Sequence, residues 1–485
     1  MKSAFKHAAR SLALLGLVAT MAGCVGLAPV NPPLAHADPE AGYRISQLLK
    51  RSAGPENSNE ALVLLAFSGG GTRAASLSFG VLQELARTQV NVKGHTHRLL
   101  DEVDMVSGVS GGSFTALAYA LHGDRLFSEY EERFLKRDVQ GELLARAMKP
   151  ANWGRLGSAL YGRSELAADY YDEILFGGAT YNDLAARRNA PLALVAGTEL
   201  SSGARFEFSQ DQFDFLCSDL STVRLARAAA TSSAVPVVLS PVTYRNYGGR
   251  CATPMPAWVK DVARADAPAR PAGRALIRYR EIEKLLDSAK RPYIHVVDGG
   301  VSDNLGLRGM IEAFQEIEAS PAYQKQIGFA AVRHIVVIVV NSRSEPSNDW
   351  DRAPVFPGFL SQLLQSSSVP IDHFSSDSVE LLKDLAQHWA NRRQLDIAQR
   401  QLGGMSKAQA EAAVPAITFD AIDVSFDAIA DPTERRYFMD LPTSFVLMPE
   451  QVDKLTALGG RLLRDSKGFQ TLLRSIAQDQ SQPQP

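Results

Sequence analysis

Three short glycine-rich stretches hold the residues of this 485-residue chain that could do chemistry. Gly108-Val109-Ser110-Gly111-Gly112 fits G-x-S-x-G. Small residues around a serine allow a strained strand-to-helix turn that exposes its hydroxyl. Ser68-Gly69-Gly70-Gly71-Thr72-Arg73 is a loop that presents backbone N–H groups without side chains in the way. Such a loop can hold a phosphate or the oxyanion of acyl transfer. It lacks the Gly-Lys-Ser/Thr of a Walker A loop, and Ala74 stands where a dinucleotide fingerprint needs its last glycine. Asp298-Gly299-Gly300 supplies an acid at the end of an apolar run. A nucleophile, a set of oxyanion donors and one carboxylate base are the parts of an acyl-transfer site.

A triad would add a histidine. His295 lies close to Asp298 in sequence, but odd separation on a strand sends two side chains to opposite faces. The other histidines sit in no motif. An α/β-hydrolase triad would place one shortly before the C-terminus, yet the last is His388, near the middle of an expected long helix. No H-E-x-x-H and no Cys/His or Asp run with ligand spacing is present, so neither a metal nor another cofactor is expected.

The elements that must position these groups alternate. Ala61–Phe67 is a continuous apolar run of strand length, and Arg73–Thr88 carries Ala74, Leu77, Val81, Leu82 and Leu85 at helical spacing. Val103–Val106 reads as a strand ahead of the serine, with a helix over Gly111–Leu121 behind it. Pro191–Ala196, Tyr293–Val297 and His334–Val340 are further strands, Ile417–Phe426 is strand-like, and Ser376–Leu402 and Glu450–Leu463 read as helices. Strands buried on both faces with helices between them predict a mostly parallel sheet in an α/β/α sandwich.

Charge is distributed unevenly. The chain has 51 Lys+Arg against 53 Asp+Glu, a net of -2, which gives no support to nucleic-acid binding. Lys2, Lys6 and Arg10 precede an apolar core over Leu12–Ala22, too short for a membrane span but suited to an export signal. The Ala22-Gly23-Cys24 that closes it resembles the lipobox of bacterial lipoproteins, with Met21 where Leu is more usual. The resemblance implies an acylated Cys24, and Val25 after it points to the outer membrane. Several acyl chains would hold the protein stably there. Removing residues 1–23 leaves 48 basic and 53 acidic residues, a net of -5. In an oxidising compartment Cys217 and Cys251 are expected to bridge. Residues 244–292 hold 11 basic and 5 acidic residues and five prolines. They read either as a solvated insertion or as a cationic surface facing anionic headgroups.

The three motifs, in this order, resemble those of the patatin-like phospholipase family, which uses a Ser–Asp dyad without histidine. Ala230-Thr231-Ser232-Ser233-Ala234-Val235-Pro236 is similar to the family's Ala/Ser-rich segment ahead of the acid, and Leu441–Phe445 is similar to the C-terminal region of its bacterial lipoprotein members. The resemblance covers roughly residues 60–310. It implies Ser110 as nucleophile, Asp298 as base, and backbone N–H groups of Gly70 and Gly71, with Gly69, as oxyanion donors. Gly108, Gly112, Gly299 and Gly300 complete the motifs, and Arg73 would position the loop or meet a headgroup. Ala74 departs from the family's glycine, but at a helix start Ala is a good former.

The expectation is a lipid-anchored serine acyl hydrolase acting on membrane lipids, with a catalytically silent lipid-binding or scaffolding lipoprotein as the alternative. Its parts are a signal at 1–23, an acylated Cys24 with a flexible tether over 24–56, a catalytic domain at 57–440, and a helical extension with a disordered tail at 441–485.

Overall fold

The computed structural model describes residues 31–479 except 49–56, 59, 93, 159–160, 254, 256–272, 320–323, 326, 346–349, 353 and 355. The expected signal at 1–23, Cys24, the end of the tail and the middle of the basic insertion therefore lie outside the described residues.

Among the described residues there are ten strands: β1 Ala61–Phe67, β2 Gln89–Val92, β3 His95–Arg98, β4 Val103–Val109, β5 Leu192–Glu199, β6 Arg205–Glu207, β7 Val242–Arg245, β8 Tyr293–Asp298, β9 His334–Asn341 and β10 Thr418–Ser425. Eight of them form one sheet in the order β10-β9-β1-β4-β5-β8-β7, with β6 on β5, while β2 and β3 form a separate hairpin. From β10 to β5 every pairing is parallel. β6, β7 and β8 are antiparallel to their neighbours. Every residue of β1 and β4 is buried, as the unbroken apolar run of β1 requires of a sheet covered on both faces. The helices used below are α1 Gly71–Arg87, α2 Gly111–His122, α3 Val139–Met148, α4 Pro150–Leu156, α5 Leu225–Ser232, α6 Phe359–Leu402 and α7 Pro449–Asp465. The result is the expected three-layer α/β/α sandwich with a mostly parallel sheet.

The antiparallel strand β8 decides where the acid goes. β4 ends with Val109 beside Ala196 of β5, and β8, running the other way, ends with Asp298 beside Gly197. Two strands distant in sequence thus terminate on adjacent residues of a third.

Three expectations change. Residues 31–48 are docked on the domain. Asn31 is buried and hydrogen-bonds Ser218 Oγ and the Arg245 carbonyl through its amide nitrogen. Leu34 donates its N–H to the Cys217 carbonyl. Buried Arg44 pairs with Asp211 at 3.1 Å and Asp214 at 2.8 Å. Composition alone reads this Ala/Pro-rich segment as a tether, because its partners lie more than 150 residues away. The second change concerns residue 441 as a boundary, which packing does not respect. Val452, Leu455, Leu458 and Leu463 of α7 are buried, and α7 lies so close to α1 that a Cβ on Gly80 would stand 1.9 Å from the Thr456 carbonyl oxygen. Thirdly, α6 begins at Phe359 and continues through Pro370 to Leu402, longer than the Ser376–Leu402 expected.

The α1–α7 contact gives a stability prediction. Gly80→Leu must push the two helices apart, and overpacking of this kind destabilises by about 1–3 kcal/mol. The urea midpoint should fall by the corresponding amount with an unchanged slope.

Candidate active site

Ser110 sits on the turn between β4 and α2 with φ 49°, a left-handed conformation that a residue with a Cβ rarely adopts. The turn is forced by close packing. A Cβ on Gly108 would stand 2.7 Å from the Gly112 carbonyl oxygen, and one on Gly112 would stand 2.5 Å from that of Phe67 at the end of β1. The two motif glycines are therefore needed as space, so that the helix can start directly against the sheet. Gly111 lies equally close to Gly71, which brings the N-termini of α1 and α2 together at one point. Helix N-termini favour negative charge.

Asp298 ends β8 and reaches across to the serine. Ser110 Oγ donates to Asp298 Oδ2 at 2.8 Å, and Asp298 Oδ1 accepts the Gly300 N–H at 2.8 Å. Gly299 fits only without a side chain, since a Cβ there would lie 2.3 Å from the Ala196 carbonyl oxygen. Both members of the pair are almost closed off, at 5% and 7% exposure. Burial pushes the Asp298 carboxyl up to about 6, against the Gly300 N–H and the Ser110 hydroxyl, which favour its ionised form. A carboxylate with that affinity can accept a proton near neutral pH. His295 is exposed on the other face of β8, with Nδ1 3.0 Å from Thr243 Oγ1.

The glycine loop departs from expectation at one position. The Gly69 N–H is already donated to the Asn304 carbonyl at 2.9 Å, so it is not free for an oxyanion. Gly70 and Gly71, at φ 138° and 59°, precede the hydrogen-bonded turns of α1, and their N–H groups have no acceptor among the described residues. The donor set of three expected from the sequence thus reduces to these two.

Arg73 is buried. Its Nε donates to the Ser342 carbonyl at 2.8 Å, Nη1 to the Leu441 carbonyl at 2.5 Å and Nη2 to Thr443 Oγ1 at 3.0 Å. Burial lowers its pKa to about 10, with Asp372 opposing, so it stays charged at neutral pH. Thr72 donates its N–H to the Ser444 carbonyl at 2.8 Å. The loop is therefore clamped between the end of β9 and the segment 441–444. Of the two roles left open for Arg73, the contacts fit loop positioning.

Several residues that hold the site have no signal in the motifs. Ser232, at the end of α5, accepts the Ser110 N–H at 2.9 Å and donates its own hydroxyl to the Ala196 carbonyl at 2.7 Å. Its carbonyl accepts the Gly299 N–H, and that of Ala234 accepts the Asp298 N–H. The Ala/Ser-rich segment is thus the strap that fixes Ser110 and Asp298 to one another, and small residues let it lie directly on β5. Ser342 Oγ donates to the Gly69 carbonyl at 3.0 Å, on the opposite side of the loop. Cys217 and Cys251 are disulfide-bonded, with Cα atoms 5.5 Å apart, and Leu34 and Ala37 of the docked segment pack against them. A cavity of about 530 Å³, lined by Ile277, Ile311, Phe374, Leu381, Arg308 and Asp377 among others, includes neither Ser110 nor Asp298 in its wall.

A family model described as patatin-like phospholipase matches residues 65–311, just over half of the chain and all three motifs. The chain belongs to the patatin-like phospholipase family. No curated protein sequence matches it. Among solved structures, this patatin-like chain is similar to human GIVD cytosolic phospholipase A2, at 12% identity over 91% of this chain and 69% of that one, with a TM-score of 0.41. The same human enzyme in complex with methyl gamma-linolenyl fluorophosphonate matches at 12% identity over 89% of this chain and 62% of that one, with a TM-score of 0.36. VipD from Legionella pneumophila matches at 13% identity over 84% and 67%, with a TM-score of 0.24.

The surroundings of the acid make a specific titration prediction. The Asp298 carboxyl should titrate with a midpoint near pH 6, followed through ¹³C-labelled aspartate by NMR. Ser110→Ala removes a hydrogen bond that favours the ionised form, so the midpoint should move upward, not downward.

Proposed function

We propose that this patatin-like protein is a serine lipid acyl hydrolase of the phospholipase A or lysophospholipase type, with Ser110 and Asp298 as its catalytic dyad. The observation that carries the reading is the buried 2.8 Å hydrogen bond from Ser110 Oγ to Asp298 Oδ2, in a chain whose family is one of phospholipases. Asp298 takes the Ser110 proton as Oγ attacks the ester carbonyl carbon. The carbonyl oxygen becomes an oxyanion facing the N–H groups of Gly70 and Gly71 and the start of α2. The tetrahedral intermediate collapses to an acyl-enzyme, and the proton passes from Asp298 to the departing alkoxide. Water then attacks the acyl-enzyme, gives its proton to Asp298, and the fatty acid leaves as Ser110 Oγ recovers that proton. One carboxyl therefore serves as base and acid in turn, which its raised pKa suits.

The substrate would be met at a membrane. Cys24, acylated after removal of residues 1–23, would anchor the protein in the cell envelope, at the outer membrane by the residue that follows it. Cys24→Ser should remove the acyl mass from the N-terminal peptide and make the chain extractable from the membrane fraction by high salt, which the acylated chain should resist.

Ser110→Ala and Asp298→Asn should each lower kcat/KM for ester hydrolysis by about three orders of magnitude or more while circular dichroism and the urea midpoint show a folded chain. In the unsubstituted enzyme the acid limb of the kcat/KM profile should rise through about pH 6, because the base works only when ionised. Full activity in either variant would refute the dyad.

A further inference from the structure

The rim on either side of the catalytic pair is both apolar and cationic. Helices α3 and α4 form an exposed hairpin on which Leu144, Met148 and Trp153 stand 66%, 67% and 59% exposed. Three large apolar side chains from two short consecutive helices are thus left mostly uncovered by the described residues. Charge accompanies them: residues 136–163 contain six basic side chains and only two acidic ones. Arg146 and Arg155 pair with Glu173 and Asp169, but Arg137, Lys149 and Arg163 pair with no carboxylate among the described residues.

The hairpin is tied to the site at both ends. Its start is fastened to the loop that clamps the oxyanion glycines, since the Gln140 N–H donates to the Phe445 carbonyl and Phe445 follows Ser444. Beyond its end, Arg163 Nη2 donates to the Val237 carbonyl at 2.9 Å. Val237 and Val238 continue the strap that holds Asp298 and are themselves 55% and 58% exposed. Val237 has φ 74°, a conformation that a β-branched residue adopts only under constraint, here with its apolar side chain turned to solvent. Val301, three residues past Asp298, is exposed as well.

The chain's own docking places this rim relative to a membrane. β8 pairs Val296 with Glu199, the last residue of β5, and extends past it to Tyr293. The partner of Tyr293 is Arg245, whose N–H donates to Asn31 Oδ1 at 2.8 Å. Asn31 therefore sits beyond the C-terminal edge of the parallel strands, the edge on which Ser110 lies. Only six residues separate it from Cys24, and the seven steps between the two reach at most about 25 Å.

We propose that Leu144, Met148 and Trp153, with Val237 and Val238, insert into the surface of an anionic lipid bilayer while Arg137, Lys149 and Arg163 meet its headgroups. This deepens the acyl-hydrolase reading and rests on it, because the surface delivers the ester to Ser110. Apolar area inserted at the interface and basic side chains at anionic headgroups contribute together to such binding.

The test uses the full chain carrying Cys24→Ser and Ser110→Ala, so that neither an acyl anchor nor turnover contributes. It is sedimented with vesicles of phosphatidylglycerol and phosphatidylcholine, and with phosphatidylcholine alone. The chain should bind the anionic vesicles, more weakly as salt is raised, and a Leu144→Glu/Met148→Glu/Trp153→Glu variant should bind at least tenfold less. With Ser110 restored, the same triple variant should hydrolyse a soluble monomeric short-chain ester as the parent does. Vesicle binding unchanged by the triple substitution overturns the surface. Loss of short-chain hydrolysis in that variant also overturns it, because the hairpin would then act on the site and not on the membrane. Failure of the parent to hydrolyse any ester would count against the dyad alone, since vesicle binding is read without it.

Discussion

A carboxyl group buried against a serine hydroxyl is the constraint from which much of this structure follows. Taking Asp298 out of water disfavours its charge, and only the Gly300 N–H and the Ser110 hydroxyl offset that loss. The compromise is a carboxyl group that ionises near neutral pH, which an exposed aspartate does not. To hold it there, β4 and β8 must end on adjacent residues of β5, and the strap through Ser232 must lie flat on the same strand. The glycines at 112 and 299 are consequences of that crowding.

The same logic extends to the donors. Gly70 and Gly71 can keep their N–H groups free only if the rest of the loop is satisfied by other partners. Asn304 takes the Gly69 N–H, Ser342 caps its carbonyl, and Ser444 takes the N–H of Thr72. Arg73 draws three acceptors from two distant segments around its buried guanidinium. A charge held this way is an expensive fastener if a partner is lost, because breaking such a set leaves an unpaired charge in the interior. The C-terminal residues 441–465 are thus part of the catalytic domain, through the loop clamp and through the packing of α7 on α1.

What the sequence made legible is local. A strand, a glycine turn and a helix are neighbours in the chain, so β1 into α1 and β4 into α2 could be read from apolar runs and punctuation, and with them Ser110 and the loop glycines. The acid could be assigned through the resemblance, but its antiparallel approach could not, because nothing in Tyr293–Asp298 records the direction of its neighbour. Ser232 is 122 residues from Ser110, and an Ala/Ser-rich run shows small size without showing which hydroxyl is used. The occupied N–H of Gly69 depends on a backbone carbonyl at 304, which has no side-chain signature. Residues 31–48 look like a tether for the same reason: Asn31 and Arg44 are ordinary polar residues until their partners at 211–218 and 245 are folded beside them.

The proposed chemistry requires Ser110 to be a nucleophile activated by one carboxylate. A fluorophosphonate probe, followed by peptide mass spectrometry across a pH series, measures this directly. The predicted result is a single adduct on Ser110, formed at a rate that rises through about pH 6 and is lost in Asp298→Asn. An enzyme that hydrolyses esters while Ser110 stays unlabelled, or labels equally fast without Asp298, would contradict it.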